Sequence, residues 1–563
     1  LNEIAHDMGL PVLATNNVHY VKPEDAYAQD VLLAIQTKQE VDDPNRKLRL
    51  LDSPTYYLRS PQEMSEIFYN TPEAISNSLE IADKIDLEIP MGEFIFPRYE
   101  TPDGMSAAEY LKELTYQKAQ EKVGEITDEI RQRIEYELDI VNQKGYATYL
   151  LIFSDIAEYC KKENILIQAR GSAVGSLALF FLGVINLNPL KYNLPFERFL
   201  NPERPSSPDI DLDMEDKKRG QVIDYTKERF GADKVAQIVT FGRMEERSAV
   251  RDVGRALGLP YSLVDRVAKM IPMGGQGHHG KIEGALDKVE ELKAEYENNP
   301  DIQRMIDMAI KIQGTARHAG THAAGVIVTD YPITEYVPLM MDSKKEGVMT
   351  QYDMYSLDIN ASPDALGLLK LDFLGLRNLT ILQKAVELIE QYHETRIDLE
   401  HIPLDDQQVY DLISSGETTG LFQIESSGFR QLARDLKPSN IEDIMAMIAL
   451  YRPGPMDLIP KFIEGKRNPD SIEYPHPALE EVLKDTYGVL VYQEQAMEIP
   501  QVMAGFSLGR ADVLRRAIGK KKKKLMDQEK SAFIKAAQEV KGYTKEEAED
   551  VFGYIETFAS YGF

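Results

Sequence analysis

The sequence contains no tryptophan and a single cysteine, Cys160. One thiol excludes an internal disulfide framework and suits a reducing compartment. No apolar run reaches the ~18 residues needed to cross a bilayer, and no secretory signal opens the chain. Positive charge is also in short supply: 64 Lys and Arg stand against 92 Asp and Glu, a net charge of −28. Repulsion on that scale argues against a protein that simply coats nucleic acid. Salt confines it to about 8–10 Å in the cell, so the placement of local basic clusters decides any polyanion contact.

What is present is a globular composition, 43% hydrophobic and 28% charged, over 563 residues. That is too long for one core and predicts three or four domains. "LNEIAHDMGLPVLAT" reads as a helix feeding a strand, "PVLATN", so the chain is expected to begin inside a domain. Its last residues, "IETFASYGF", lack a polar tail, and a fragment at both ends is expected. "PEDAYAQDVLLAIQTK" predicts a helix with Pro23 near its start. Two amphipathic helices are predicted near 106–122 and 126–144, the second stopped by Gly145. "NILIQA" (164–169) reads as a buried strand, and "AAGVIVTD" (323–330) and "GLLKLDFLGL" (367–376) as further strands. From 241 to about 313 the pattern is helical, broken by "GGQGHHGK", and after 377 nearly everything is helical.

Four constellations could carry chemistry. "SSPDIDLDM" sets Asp209, Asp211 and Asp213 at every second position. On a strand they share a face, and like charges in a row need a cation unless they are simply solvated. A solvated edge and a platform for a hard divalent ion are both open readings. In "LLKLDFLGL", Lys370 and Asp372 share one face of an apolar strand. They form either a private ion pair or, with Asp209 and Asp211, a metal site in which Lys370 meets a phosphate. "RGSAVGSLALFFLG" reads as a strand–glycine turn–helix anion site, with Arg170, Gly171, Ser172, Gly175 and Ser176 supplying charge, close approach and donors. Lacking GK[ST], it is not a Walker A loop, and an ordinary α/β turn is the alternative. Basic residues gather twice, at Arg247, Arg251 and Arg255 along a helix and in "LRRAIGKKKKK" from Arg515 through Lys520 and Lys521. Each could be a solvated face, but two such clusters in so acidic a chain favour contact with a polyanion backbone. His318 and His322, four apart, could chelate zinc on a helix, but a structural or phosphate-facing role is favoured; His278 and His279 are expected to face water.

The run "RGSAVGSLALFFLGVINLNPLKYNLPFERFLNPERPSSPDIDLDM" resembles the catalytic core of the bacterial DNA polymerase III alpha-subunit family, the C-family replicative polymerases of the DnaE type. "VTFGRMEERSAVRDVGRALGLPY", "ARHAGTHAAGVIVTD", "LLKLDFLGLRNLTI", "LFQIESSGFRQL", "ALYRPGPMD", "YGVLVYQEQAM" and "LRRAIGKKK" extend the resemblance over essentially the whole chain. It implies a multidomain α/β protein with a beta-type nucleotidyltransferase palm, a helical thumb and fingers, preceded by the end of a polymerase-and-histidinol-phosphatase (PHP) domain. The corresponding segments are 1–80 (PHP), 81–240 and 314–377 (palm), 241–313 (thumb) and 378–563 (fingers, truncated). The implied activity is magnesium-dependent, template-directed transfer of a deoxynucleotide from dNTP to a primer 3′-hydroxyl. A template-independent nucleotidyltransferase is the alternative, and a silent DNA-binding scaffold a third reading. By resemblance Asp209, Asp211 and Asp372 bind two Mg2+, while Asp213 falls outside the triad. Arg170, Gly171, Ser172 and Lys370, with Arg515 and Arg516, match triphosphate-binding groups. Arg247, Arg251, Arg255, Lys520 and Lys521 are the DNA-binding candidates. Asn17 stands where the PHP metal motif has an aspartate, with His19 retained, which makes that site a poor one. Primer–template DNA, dNTPs, a sliding clamp and other replisome subunits are the implied partners, in the bacterial cytoplasm at the nucleoid, with no membrane.

Overall fold

The computed structural model describes residues 2–50, 54–203, 207–272, 281–342, 347–519 and 523–558. It is a mixed α/β molecule with seven strands: β1 (Ile167–Arg170), β2 (Asp211–Glu215), β3 (Val235–Arg243), β4 (Ala316–Val328), β5 (Leu339–Met341), β6 (Val348–Thr350) and β7 (Leu369–Leu376). The chain divides into two compact units. One comprises Leu1–Glu93, Ile238–His322 and Leu339–Ser356; the other comprises Phe94–Gln237, Ala323–Pro338 and Leu357–Phe563. No described helix is long and apolar enough to cross a membrane.

In the first unit the strand order is β4-β3-β6-β5, with β5 and β6 antiparallel. Its core is helical. Helix Ala26–Thr37 places Val31, Ala34 and Ile35 against Val250 and Val253 of Glu246–Ala256 and Ile302, Ile306 and Ala309 of Pro300–Ile312. Pro23 opens a single 3-10 turn just before the first of these helices, as its fixed φ allows. The expected strand at "PVLATN" is not formed. Ala14 instead donates its N–H to Ala74 O (2.9 Å), and the Asn77 amide donates to Val12 O (2.7 Å). A segment without a partner strand spends its backbone groups on a neighbouring helix.

In the second unit the order is β1-β2-β7-β4-β3, a mixed sheet. β2 runs antiparallel to β1 and parallel to β7, and β7 runs antiparallel to β4. The predicted amphipathic helices run from Ala107 to Val123 and from Asp128 to Gln143. Ser106 with Glu109 closes a capping box on the first, Thr127 caps the second, and Gly145 takes φ 76° beyond its end. With helix Ala147–Lys162 they cover one face of the sheet, burying Leu111, Ile134, Phe153 and Ile156 against Leu212, Leu371 and Phe373. "NILIQA" is shorter and less buried as a strand than expected: only Ile167 to Arg170 pair, and Ile167 and Gln168 stay half-exposed. An edge strand has one ladder and one covered face, which removes the need for a continuous apolar run. After β7 the chain is helical from Arg377–His393 to Lys545–Phe558. Its helices bury Phe429, Leu450 and Phe462 in one cluster and Leu514, Phe533 and Phe552 in another.

Candidate metal centre and phosphate turn

The carboxylates meet where β2 and β7 lie side by side. Parallel register pairs Asp211 with Asp372 directly, and Asp209 sits two residues before Asp211. Neighbouring strands are about 4.8 Å apart. The three side chains accordingly offer oxygens that all lie within 4.8 Å of one another. Opposite them, Leu371 and Phe373 are fully buried, so the pleat fixes which face of β7 carries the charge. The donor set is all carboxylate oxygen, which suits a hard divalent cation such as Mg2+ rather than a soft one.

Lys370 is the counter-charge. Its Nζ lies 2.9 Å from Asp372 Oδ2 and 3.3 Å from Asp358 Oδ2. The private Lys–Asp pair and the carboxylate triad are therefore both present, sharing Asp372. Burial lowers the affinity of the Lys370 ammonium for its proton, but Asp372, then Asp358 and Asp209, hold it above the ordinary lysine range. Asp209 keeps solvent access. Partial loss of hydration, with Asp372, Asp211 and Asp358 nearby and Lys370 opposing, still raises its carboxyl to about 6. Four acids around one lysine leave the cluster short of positive charge, an imbalance that a divalent cation would offset.

Asp358 was not legible in the sequence. It lies in an irregular stretch, "SLDINASPD", with no periodicity. Its side chain accepts from Asn360 N–H (2.9 Å), a local turn that aims the other oxygen at Lys370. Tyr149 was missed as well. This fully buried ring accepts the Ile210 N–H (3.1 Å), and burial together with Asp209 keeps its phenol proton in place. It pins the residue between Asp209 and Asp211. The third aspartate of the run has a different partner: Asp213 lies 2.9 Å from Arg170 Nε.

The glycine turn is a 3-10 segment, Gly171–Gly175, leading into helix Leu177–Phe181. Gly171 takes φ 74°, a left-handed conformation that favours glycine. Contrary to expectation, the helix N-terminus is not open to a phosphate. Glu137 already fills it, accepting from Ser176 Oγ (2.8 Å), Leu177 N–H (2.9 Å) and Ala178 N–H (3.0 Å). Of the residues expected to form an anion site, Gly175 and Ser176 thus frame Glu137 instead, and Arg170, Gly171 and Ser172 precede them. A fully buried acid satisfies the orphan donors that sequence reasoning reserved for a ligand.

The basic candidates have protein partners. Arg247 Nε donates to Ile271 O (2.7 Å), Arg251 to Asp265 (2.9 Å) and Arg255 to Asp252 (2.9 Å). Arg515 holds Asp512 (2.6 Å) and Gln493 (2.7 Å), while Arg516 lies 3.9 Å from the other Asp512 oxygen. Lys520 and Lys521 lie outside the described residues, as do His278 and His279. His318 and His322 fall in β4 rather than in a helix, where four positions span about 13 Å and cannot close on one zinc ion.

Two family profiles match the chain. "Bacterial DNA polymerase III alpha NTPase domain" covers residues 109–375, and "Bacterial DNA polymerase III alpha subunit finger domain" covers residues 378–541. Curated proteins named "DNA polymerase III subunit alpha" align along the whole chain. The Aquifex aeolicus protein is 41% identical over 100% of this chain and 51% of its own length. The Bacillus subtilis protein is 41% identical over 100% and 49%. The Escherichia coli K12 protein is 39% identical over 100% and 49%. The chain thus spans about half the length of the curated relatives it matches.

Proposed function

Because the chain belongs to the bacterial DNA polymerase III alpha-subunit family, we propose that it forms the nucleotidyl-transfer centre of a replicative DNA-directed DNA polymerase. The observation that carries this reading is the β2–β7 register, which brings Asp211 beside Asp372 from 161 positions away and completes the triad with Asp209. These are the residues that would hold two Mg2+. Bound there, the metal supplies a lowered pKa for the primer 3′-hydroxyl and neutralisation of charge at the α-phosphate and departing pyrophosphate. The hydroxyl gives its proton to water, its oxygen bonds to the α-phosphorus, the bond to the bridging oxygen breaks, and pyrophosphate leaves with that electron pair.

The chain's own groups bind and orient. Lys370, fixed between Asp358 and Asp372, pairs with both carboxylates and presents an ammonium to a phosphate oxygen. Arg170 and the backbone N–H groups of Gly171 and Ser172 receive the triphosphate, with Arg515 and Arg516 contributing from the helical C-terminal part. In this reading residues 1–80 end a PHP domain, 81–240 and 314–377 form the palm, 241–313 the thumb and 378–563 the fingers. Primer–template DNA and dNTPs are the substrates, and a sliding clamp and other replisome subunits the partners, in the bacterial cytoplasm. Arg247, Arg251 and Arg255 would grip duplex backbone by exchanging their present acceptors for phosphates.

Primer extension by the full-length protein on four templates, one dNTP at a time, tests the reading. The complementary nucleotide alone should be added, only with Mg2+, and Asp209→Asn or Asp211→Asn should lower the rate by about a thousandfold or more while the protein stays folded. Addition indifferent to template would replace the reading with a template-independent transferase. Full activity in either variant would remove the metal assignment.

A further inference from the structure

A carboxylate with no solvent exposure needs several partners to offset its lost hydration. Glu137 is such a group, on the inward face of helix Asp128–Gln143. It collects four donors: Ser176 Oγ, Leu177 N–H, Ala178 N–H and Arg133 Nε, the last at 2.6 Å. Burial raises its proton affinity, while Arg133 and the two backbone donors oppose the shift. Arg133 does a second job. Its terminal nitrogen donates to Gly175 O (2.7 Å) and Leu194 O (3.0 Å), tying together two segments about 20 positions apart in sequence. The approach is close there: a Cβ on Gly175 would stand 2.6 Å from Pro195 O.

The Gly171–Gly175 turn is therefore anchored at both ends. Before it, Arg170 is held by Asp213 at 2.9 Å. After it, Arg133 holds Gly175 O, Glu137 holds Ser176 Oγ, Leu177 N–H and Ala178 N–H, and the Ser176 N–H donates back to Ala173 O inside the turn. Gly171 and Ser172 lie between these anchors, and among the described residues no side chain accepts a hydrogen bond from their N–H groups. We propose that Glu137, seated by Arg133, is a positioning residue for nucleotide binding: it occupies the helix N-terminus with the protein's own charge and holds the preceding turn in the shape that receives the triphosphate. The proposal rests on the polymerase reading above. A turn held in advance loses no backbone entropy when the nucleotide arrives. Loosening it should weaken dNTP binding in ground state and transition state alike, which raises KM and spares kcat.

The test is steady-state primer extension by the full-length protein, comparing wild type with Glu137→Gln and Ser176→Ala. Glutamine keeps the size of the side chain but turns an N–H toward backbone N–H groups. The dNTP KM of Glu137→Gln should rise about tenfold, with kcat and primer–template affinity within about twofold of wild type. Ser176→Ala, which leaves both backbone bonds to Glu137, should move KM the same way by about threefold. An unchanged KM in folded Glu137→Gln overturns the proposal, and so does a loss shared equally by kcat, KM and DNA affinity, which marks a merely structural group. If Glu137→Gln does not fold, Ser176→Ala decides: an unchanged KM there overturns it. Wild-type protein that binds a Mg2+–dNTP yet extends no primer would sink the polymerase reading alone, and the same loss would then be read in the nucleotide Kd. Wild-type protein that neither binds nor extends ends both.

Discussion

Three aspartates at alternate positions meet three different environments. Asp211 enters β2 opposite Asp372, Asp213 turns to Arg170, and Asp209 stays solvent-accessible ahead of the strand with its carboxyl raised to about 6. Shared strand parity made them look equivalent, but strand ends and the neighbouring cation separated them. The raised value makes a stability prediction with a definite sign. The folded form of Asp209 holds its proton more tightly than an unfolded one with an ordinary value of 3.8. Its contribution is thus present below pH 3.8 and lost as pH rises through about 6. In metal-free protein kept in EDTA, the melting temperature of wild type should fall across this window relative to Asp209→Asn. Mg2+ at pH 7 should raise wild type more than the variant. Parallel curves for the two proteins would contradict the placement of Asp209 among the other acids. Lys370 is the other decisive residue. Replacing it by Met leaves buried Asp372 and Asp358 without their ammonium, a loss of about 3–5 kcal/mol in urea unfolding without metal. Divalent cation should recover part of it.

At the scale of elements, the site depends on one parallel strand pair and one turn. β2 is braced from both sides, by β1 and by β7, and Arg219 donates to Phe373 O (2.6 Å) midway along β7. The turn after β1 depends on a close backbone approach rather than on unusual dihedrals at Gly175, since only Gly171 of its glycines has positive φ. Gly175→Ala should therefore cost about 1–3 kcal/mol through overpacking against Pro195, measured by urea unfolding. A neutral result would mean that the loop before Phe196 yields freely. Helices were the most legible elements, because caps such as Ser106–Glu109 and stops such as Gly145 act within three or four positions. Strand identity was less so. "PVLATN" had strand composition without a partner, and "RHAGTHAAG" had helical histidine spacing yet joined β4. A strand exists only where another strand accepts its hydrogen bonds.

At the scale of the whole molecule, the acidic balance of −28 gives little away about local surfaces. Arginines at 247, 251 and 255 are paired with acceptors of their own unit, and the Asp209–Asp211–Asp372 cluster gathers negative charge at one point. The lone thiol offers a direct check on the integrity of the second unit. Cys160 is fully buried on helix Ala147–Lys162, and burial, with Glu215 nearby, pushes it up to about 12. Native protein at pH 8 should resist alkylation for hours, and one equivalent should react once denaturant unfolds that core. Rapid labelling of native protein would place the helix elsewhere.

The sequence by itself determined the mixed α/β class, the helix after Pro23 and those near 106–122 and 126–144, the family resemblance and the choice of the three aspartates that come together. Those features rest on residue order and short-range contacts, which a linear reading sees. Tertiary structure alone decided that Asp358 shares Lys370, that Asp213 belongs to Arg170, and that Glu137 rather than a phosphate fills the helix after the glycine turn. Each of those choices joins residues roughly 12 to 43 positions apart, and competition among many acids for a few cations has no signature along the chain. Only the folded register, with its distances and its exclusion of water, selects the winner.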